Sequence, residues 1–308
     1  IFFRYFCTMK IPSNLVRDIK NYYCDKLCSI YDKDESNAMI LMLFEFYFNI
    51  NRVKMALEPK LRLSESEILK IHFAVKDLLK HKPVQYVIGE TEFCDLRFKV
   101  NENVLIPRPE TSEMVKEIYN EQCTINNLTF STSNSQFSIL DIGTGSGCIA
   151  ITLAKKLPNA QVFALDISEK ALEVAKENAI NNNVNITFIQ DDILSLKNSI
   201  ETKFDIIVSN PPYVRNMEKS GMCDNVLSWE PHNALFVSDD DPLIFYRKIL
   251  EFAKEHLNEN GEVWLEINEF LGKEMFSLCK ELDFYDVKLL KDFRGRDRFI
   301  RSGEHKSF

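Results

Sequence analysis

Asn210-Pro211-Pro212-Tyr213, directly after the apolar run Phe204-Asp205-Ile206-Ile207-Val208-Ser209, has the chemistry to grip a flat, conjugated NH2 group. An asparagine side-chain oxygen accepts hydrogen bonds from such a group. A proline pair fixes φ, removes competing N–H donors and presents backbone carbonyls. The tyrosine ring can lie against the planar target. The same four residues also suit an ordinary strand-ending turn, so the rest of the chain must decide between the two.

A second motif lies upstream. Ile139-Leu140-Asp141-Ile142-Gly143-Thr144-Gly145-Ser146-Gly147-Cys148-Ile149-Ala150 reads as a buried strand, a glycine-rich turn and the start of a helix. The spacing is Gly-x-Gly-x-Gly after Asp141, whereas a dinucleotide fingerprint is Gly-x-Gly-x-x-Gly with a helix N-terminus facing a pyrophosphate. A carboxylate beside the turn suits an ammonium group better than a phosphate, which points to S-adenosylmethionine, a cofactor with an amino acid in place of a diphosphate. At the next strand end Asp166 is placed to accept both hydroxyls of a ribose, and after the third strand Asp191-Asp192-Ile193 is placed to face the adenine. Taken singly, Asp166 could be a helix cap or dipole partner and Asp192 a solvated loop acid. Jointly, three acidic strand ends and Asn-Pro-Pro-Tyr at the fourth put one site on one rim of one sheet.

The elements that must position this rim follow from periodicity. Between 13 and 80 the apolar pattern is helical, with the stripe Leu15, Val16, Ile19, Tyr23 and Leu27 and a capping box Ser64-x-x-Glu67 before Ile68, Ile71, Val75 and Leu78. After Lys82-Pro83 the period becomes strand-like through 92–94, 96–100 and 104–106, predicting a β-hairpin link. Beyond Pro107 a helix is followed by strands at 138–142, 161–166, 185–190, 204–209 and 262–267, alternating with helices at 148–157, 168–179, 242–257 and 269–282. Two further strands are predicted at 285–290 and 298–301. The expected architecture is α/β: a mostly parallel, Rossmann-like seven-stranded sheet at 107–308, a helical bundle at 9–82 and a hairpin linker at 83–106. The Ser/Thr/Asn-rich stretch 124–136 reads as a surface loop.

Composition sets limits on function. The chain has 308 residues, 46 acidic against 38 basic, and a net charge of −8, so it lacks the positive field that drives non-specific nucleic-acid binding. Its eight cysteines are scattered, without a Cys-x-x-Cys pair or a His cluster at metal-ligand spacing, so reduced thiols, no metal and a cytoplasmic location are expected. The apolar start Ile1 to Thr8 is interrupted by Arg4 and too short to span a bilayer; it is read as an upstream extension.

With these residues in hand, the chain resembles the class I methyltransferases and, within them, the HemK/PrmC family of protein-(glutamine-N5) methyltransferases. The resemblance covers nearly the whole chain. It includes Lys82-Pro83-Val84-Gln85-Tyr86-Val87-Ile88-Gly89, Leu105-Ile106-Pro107-Arg108-Pro109-Glu110-Thr111, Trp229-Glu230-Pro231-His232-Asn233-Ala234-Leu235 and Asp292-Phe293-Arg294-Gly295-Arg296-Asp297-Arg298-Phe299. The Asn-Pro-Pro-Tyr box is shared with adenine N6- and cytosine N4-methylating enzymes; the Pro-Arg-Pro-Glu-Thr segment is narrower.

The resemblance implies an S-adenosylmethionine-dependent enzyme that methylates the glutamine of the Gly-Gly-Gln motif in class I peptide chain release factors. It implies that Gly143, Thr144, Gly145, Ser146, Gly147 and Asp166 hold the cofactor, that Ile193 covers the adenine where relatives often carry an aromatic, and that Asn210, Pro211, Pro212 and Tyr213 hold the target amide, with Asn210 also touching the cofactor. Arg108 and Glu110 either close the cofactor pocket or make a structural ion pair. The helical domain shows no catalytic residues and is assigned to substrate docking, with a structural brace as the alternative. The segment Val214 to Leu235, carrying Met217, Met222 and Trp229, is long enough to contact a protein substrate. Competing readings are a ribosomal-protein glutamine methyltransferase, a nucleic-acid adenine methyltransferase, which would call for a basic face, and a non-catalytic partner. No direct nucleic-acid or membrane partner is expected.

Overall fold

The computed structural model describes residues 13–128 and 137–303. The extension expected at 1–8 lies outside the described residues. The chain divides into two compact units: the described residues up to Gly89 together with Asp224–Trp229, and the remainder from Glu90 onward.

The first unit is helical. Helices α1 (Val16–Leu27), α2 (Lys33–Phe48), α3 (Arg52–Leu57) and α4 (Glu65–Leu78) bury the predicted stripe from Val16 on, Leu15 standing half-buried before α1, with Ile19, Leu27, Ile40, Leu43, Phe44, Ile71 and Leu78 wholly inaccessible. The starts of the last three are chemically marked. Asp32 caps α2, Asn51 caps α3, and Ser64 with Glu67 closes the predicted capping box on α4. The strand-like period expected from residue 83 begins instead with a helical turn, α5 (Val84–Ile88), stopped by Gly89 at φ 85°. The segment Asp224–Trp229 (α9 below) groups with this unit: the Trp229 indole donates to the Lys80 carbonyl at 3.0 Å and lies 5.1 Å from the Lys82 ammonium.

The second unit opens with a hairpin, β1 (Glu90–Phe93) and β2 (Leu96–Lys99), whose two-residue turn places both Cys94 (φ 48°) and Asp95 (φ 64°) in the left-handed region. Residues 104–106, predicted as strand, are irregular. Helix α6 (Pro109–Leu128) continues into the stretch read as loop. Extending a formed helix needs no new nucleus, so the weak propensity of Thr and Asn does not end it there. The rest of that predicted loop, 129–136, lies outside the described residues.

There follow β3 (Ser138–Ile142), α7 (Cys148–Lys156), β4 (Gln161–Asp166), α8 (Glu169–Asn181), β5 (Thr187–Gln190), β6 (Phe204–Ser209), β7 (Val214–Arg215), α9 (Asp224–Trp229), β8 (Phe236–Val237), α10 (Ile244–His256), β9 (Leu257–Glu266), α11 (Gly272–Glu281), β10 (Tyr285–Lys291) and β11 (Asp297–Gly303). Seven strands form one sheet in the order β10-β11-β9-β6-β3-β4-β5. All pairings from β9 through β5 are parallel, and β11 alone runs against the others. Strand β9 starts earlier than its apolar run predicts because Leu257 pairs with Phe204; the ladder then slips across Asn260 (φ 63°) and re-forms at Ile206 and Glu262.

Successive strand residues alternate between two cores, as pleating requires. Ile206, Val208 and Trp264 pack with Met114, Val115 and Ile118 of α6 and with α7. Ile207, Val263 and Leu265 pack with Ile249 and Leu250 of α10 and Met275 of α11. The sheet is therefore covered on both faces, and its accessible chemistry is confined to the strand ends. Strand order reverses between β3 and β6, and a crevice outside the carboxyl ends of such neighbours is where open α/β sheets bind ligands.

Candidate active site

The register brings the predicted residues together. Ile142 is paired with Leu165 on one side and Ser209 on the other, and Ser209 with Leu265. The next residues along, Asp166, Gly143, Asn210 and Glu266, therefore stand side by side on one rim. Ser209 Oγ donates to the Ile142 carbonyl at 2.6 Å, tying β6 to β3 where the glycine turn leaves.

That turn needs its glycines for two reasons. Gly143, Gly145 and Gly147 have φ of 74°, 55° and 81°, where a Cβ is disfavoured. A Cβ at Gly147 would meet Ile151 Cδ1 at 2.8 Å and Ala175 Cβ at 3.1 Å, so this glycine lets α7 pack on α8. At Gly143 and Gly145 a Cβ would meet nothing within 4 Å; these two border open space. The turn is held from behind by Asn178, wholly buried on α8. Its Nδ2 donates to the Ser146 and Lys99 carbonyls while its Oδ1 accepts from Lys99 N–H at 2.7 Å, so one amide ties turn, helix and hairpin.

Asp141 is completely buried. Thr144 Oγ1 donates to its Oδ2 at 2.6 Å and Ala150 N–H at 3.2 Å, whereas Oδ1 has no partner. Burial pushes this carboxyl up to about 7, and the nearby Asp166 charge adds to the rise, against those two hydrogen bonds. The native carboxyl thus keeps its proton to higher pH than in the unfolded chain, where it titrates near 3.8. Its contribution to stability is lost as pH rises through that window. The melting temperature of ligand-free protein is expected to fall more steeply between pH 5 and 8 than that of Asp141→Asn; parallel slopes would refute this.

Asp166 is also buried, which raises its pKa, and accepts from Gly145 N–H at 2.8 Å and Ser168 N–H at 2.9 Å. It therefore shapes the glycine turn as well as ending β4 at the rim, and with backbone donors from Gly145, Ile167 and Ser168 the carboxylate keeps acceptor capacity for a ligand. Both oxygens of Asp191 are taken up by the Asp192, Lys197 and Asn198 amides, and Asp192 caps Leu194 N–H. These two acids fold their own loop. Ile193 lies among the core residues, 9% exposed at the edge of β5.

Asn210, Pro211, Pro212 and Tyr213 follow β6. Asn210 Nδ2 donates to Thr111 Oγ1 at 3.1 Å; Thr111 Oγ1 donates to Glu266 Oε2 at 2.6 Å; the Tyr213 hydroxyl donates to Glu266 Oε1 at 2.9 Å. Burial and the Glu266 charge hold the Tyr213 phenol well above its usual range, so it is a protonated donor. Burial raises Glu266, opposed by its two hydroxyl donors and the Arg298 charge. Arg298 is fixed by Asp292, and Asn268 Nδ2 donates to the Tyr213 carbonyl. Beside Tyr213 an open cavity of about 480 Å³ is lined by Glu218, Met222, Asn268, Phe270 and Arg298.

Arg108 pairs with the buried Glu230 at 2.7 Å, and Glu230 also accepts from Ile106 N–H, so the Pro107 and Trp229 motifs meet in an ion pair. No hydrogen bond joins Glu110 to it. Sequence reasoning missed Glu266, Thr111 and Asn178. Glu266 carried the signal already used for Asp166, an acid ending an apolar strand.

Comparison with known proteins decides the family. Residues 133–278 match a methyltransferase domain model and residues 23–89 the PrmC N-terminal domain model. The chain is 47% identical to the release factor glutamine methyltransferase of Flavobacterium psychrophilum over 93% of its length and 98% of that protein's. To the enzyme of the same name from Bacteroides thetaiotaomicron it is 40% identical, over 92% and 98%.

The chain belongs to the release factor glutamine methyltransferase family.

Its sheet is the class I methyltransferase fold, and the hMettl16 catalytic domain solved with the MAT2A 3′UTR hairpin 6 superposes with a TM-score of 0.50 at 12% identity, covering 80% of this chain and 83% of that one, a likeness of fold alone. The residues fit S-adenosylmethionine: open space lies in front of Gly143 and Gly145, the Asp166 carboxyl bonded to Gly145 N–H is an acceptor suited to a ribose, and the buried Asp141 beneath the turn leaves Oδ1 without a partner.

Proposed function

We propose that this protein methylates the side-chain nitrogen of the Gly-Gly-Gln glutamine in class I peptide chain release factors. The observation that carries the reading is the orientation of Asn210: its NH2 end is spent on Thr111, so Oδ1 is the free end, one strand from the glycine turn. S-adenosylmethionine, held by Gly143 to Gly147 and Asp166 with Ile193 at the adenine end, supplies an electrophilic methyl when bound.

A glutamine amide nitrogen is a poor nucleophile because its lone pair is delocalised into the carbonyl. Asn210 Oδ1 and the Pro211 carbonyl accept its two hydrogens, which fixes the nitrogen and favours pyramidalisation. Pro212 stiffens the turn and Tyr213, clamped on Glu266, walls the amide plane. Since Tyr213 stays protonated, it takes no proton; the methylated amide loses its own to solvent. Positioning and electrostatics carry the rate.

The helical unit supplies docking. Val53 (65%), Leu57 (76%) and Met42 (41%) are exposed, and a cavity of about 370 Å³ lies beside Leu41, Met42 and Val53. The free thiols among the described residues support a cytoplasmic location. No described helix is long and apolar enough to cross a membrane.

Labelled S-adenosylmethionine offered with a release factor or with DNA tests the reading. A mass gain of one methyl on the Gly-Gly-Gln glutamine is expected, and label only in DNA would overturn it. In the same assay Val53→Glu/Leu57→Glu is expected to raise KM for the release factor with kcat kept; an unchanged KM removes the docking role.

A further inference from the structure

An asparagine amide has two ends of nearly equal size and opposite chemistry. Presented the wrong way round, Asn210 would set its own NH2 against the substrate's NH2, donor to donor. The side chain is partly exposed, so sterics alone do not choose. The choice is made behind it. A carboxylate only accepts hydrogen bonds, and a threonine hydroxyl has one proton to give. With Thr111 Oγ1 donating to Glu266 Oε2 at 2.6 Å, the Thr111 oxygen is left as an acceptor, and the group 3.1 Å from it must be the Asn210 NH2. The other oxygen of the same carboxylate takes the Tyr213 proton, so one residue on β9 fixes both functional ends of Asn-Pro-Pro-Tyr. A proton on Glu266 Oε2 would reverse the chain: Thr111 would accept from Glu266, donate to Asn210 Oδ1 and turn NH2 outward.

We infer that Thr111 and Glu266 are positioning residues, which set the orientation of the Asn210 amide through a one-way chain of hydrogen bonds from α6 to β9. The inference rests on the proposed role of Asn210. It also accounts for a motif the reaction leaves unused, since Thr111 ends the Pro-Arg-Pro-Glu-Thr segment and lies 2% exposed against the site.

The test compares steady-state methylation of a release factor, cofactor affinity by calorimetry and thermal melting for four variants. Thr111→Val keeps shape and removes the relay; Thr111→Ser keeps the hydroxyl; Glu266→Gln removes the charge that gives the chain its direction; Asn210→Ala controls for the underlying reading. Thr111→Val and Glu266→Gln are expected to lower kcat about 10- to 100-fold, as loss of an orienting partner commonly does, with cofactor Kd held within about twofold. Thr111→Ser should recover most of kcat. Thr111→Val/Glu266→Gln should be no worse than the poorer single variant, because both cut one chain.

The inference fails if Thr111→Val turns over within about twofold of wild type while Asn210→Ala is inactive, or if the double variant loses the product of the two single losses. It also fails if Thr111→Ser is as poor as Thr111→Val. An active Asn210→Ala would overturn the reading of the site itself, and the positioning role with it.

Discussion

Replacing Asn210 by alanine is expected to lower kcat about 10²- to 10³-fold, the usual cost of deleting one preorganised polar contact to a reacting group. Cofactor Kd should stay within a few-fold. The split follows from placement. Asn210 stands on the β6 side of the rim, whereas the glycine turn, Asp141 and Asp166 belong to β3 and β4. Asn210 is partly exposed and its side chain is tied to the fold through Thr111, so the variant should fold. Asn210→Gln is the sharper probe: it keeps the amide and moves it by one carbon–carbon bond, and misplacement on that scale costs about 10²-fold. Single-turnover methylation with calorimetric cofactor titration gives both quantities. Turnover of Asn210→Ala within a few-fold of wild type would remove Asn210 from the mechanism, and a parallel loss of cofactor affinity would make it a cofactor residue instead.

The parts legible in the sequence are those with local causes. Alternating strand and helix periods, a glycine triplet after an apolar strand and Ser64-x-x-Glu67 act within a few residues, and all appear in the structure close to where their patterns place them. What was not legible acts across long separations. Glu266 reaches Thr111 and Tyr213 only because Ser209 registers with Leu265, a pairing that no local pattern states. Asn178 reads as a plain helical polar residue until its helix lies against the glycine turn and the hairpin, where its amide replaces three bonds that water cannot make. The first acid after β5 errs the other way. Asp191 looks like a ligand group by position, yet both its oxygens are filled by loop amides, a use that short acidic side chains in turns often find, while Asp192 accepts from one loop amide and the Ser195 hydroxyl.

The three glycines of the turn separate stability from binding, and two alanine substitutions should show it. Gly147→Ala puts a methyl 2.8 Å from Ile151 Cδ1 and 3.1 Å from Ala175 Cβ at φ 81°. The isoleucine end can swing aside. Ala175 cannot, because its Cα stands 3.4 Å from the same point and belongs to α8. Left-handed strain and overpacking together are expected to cost about 2–5 kcal/mol, visible as a large drop in the melting temperature of ligand-free protein. Gly145→Ala carries only the strain, about 1–2 kcal/mol at φ 55°, since nothing lies within 4 Å of the new methyl. That methyl enters the space assigned to S-adenosylmethionine, so cofactor Kd should rise about 10- to 100-fold while the melting temperature falls by less than in Gly147→Ala. The ordering is the decisive point. If Gly145→Ala melts as low as Gly147→Ala and binds the cofactor normally, the open space before Gly145 is not the cofactor site, and the rim from Asp166 to Asn210 must hold its methyl donor elsewhere.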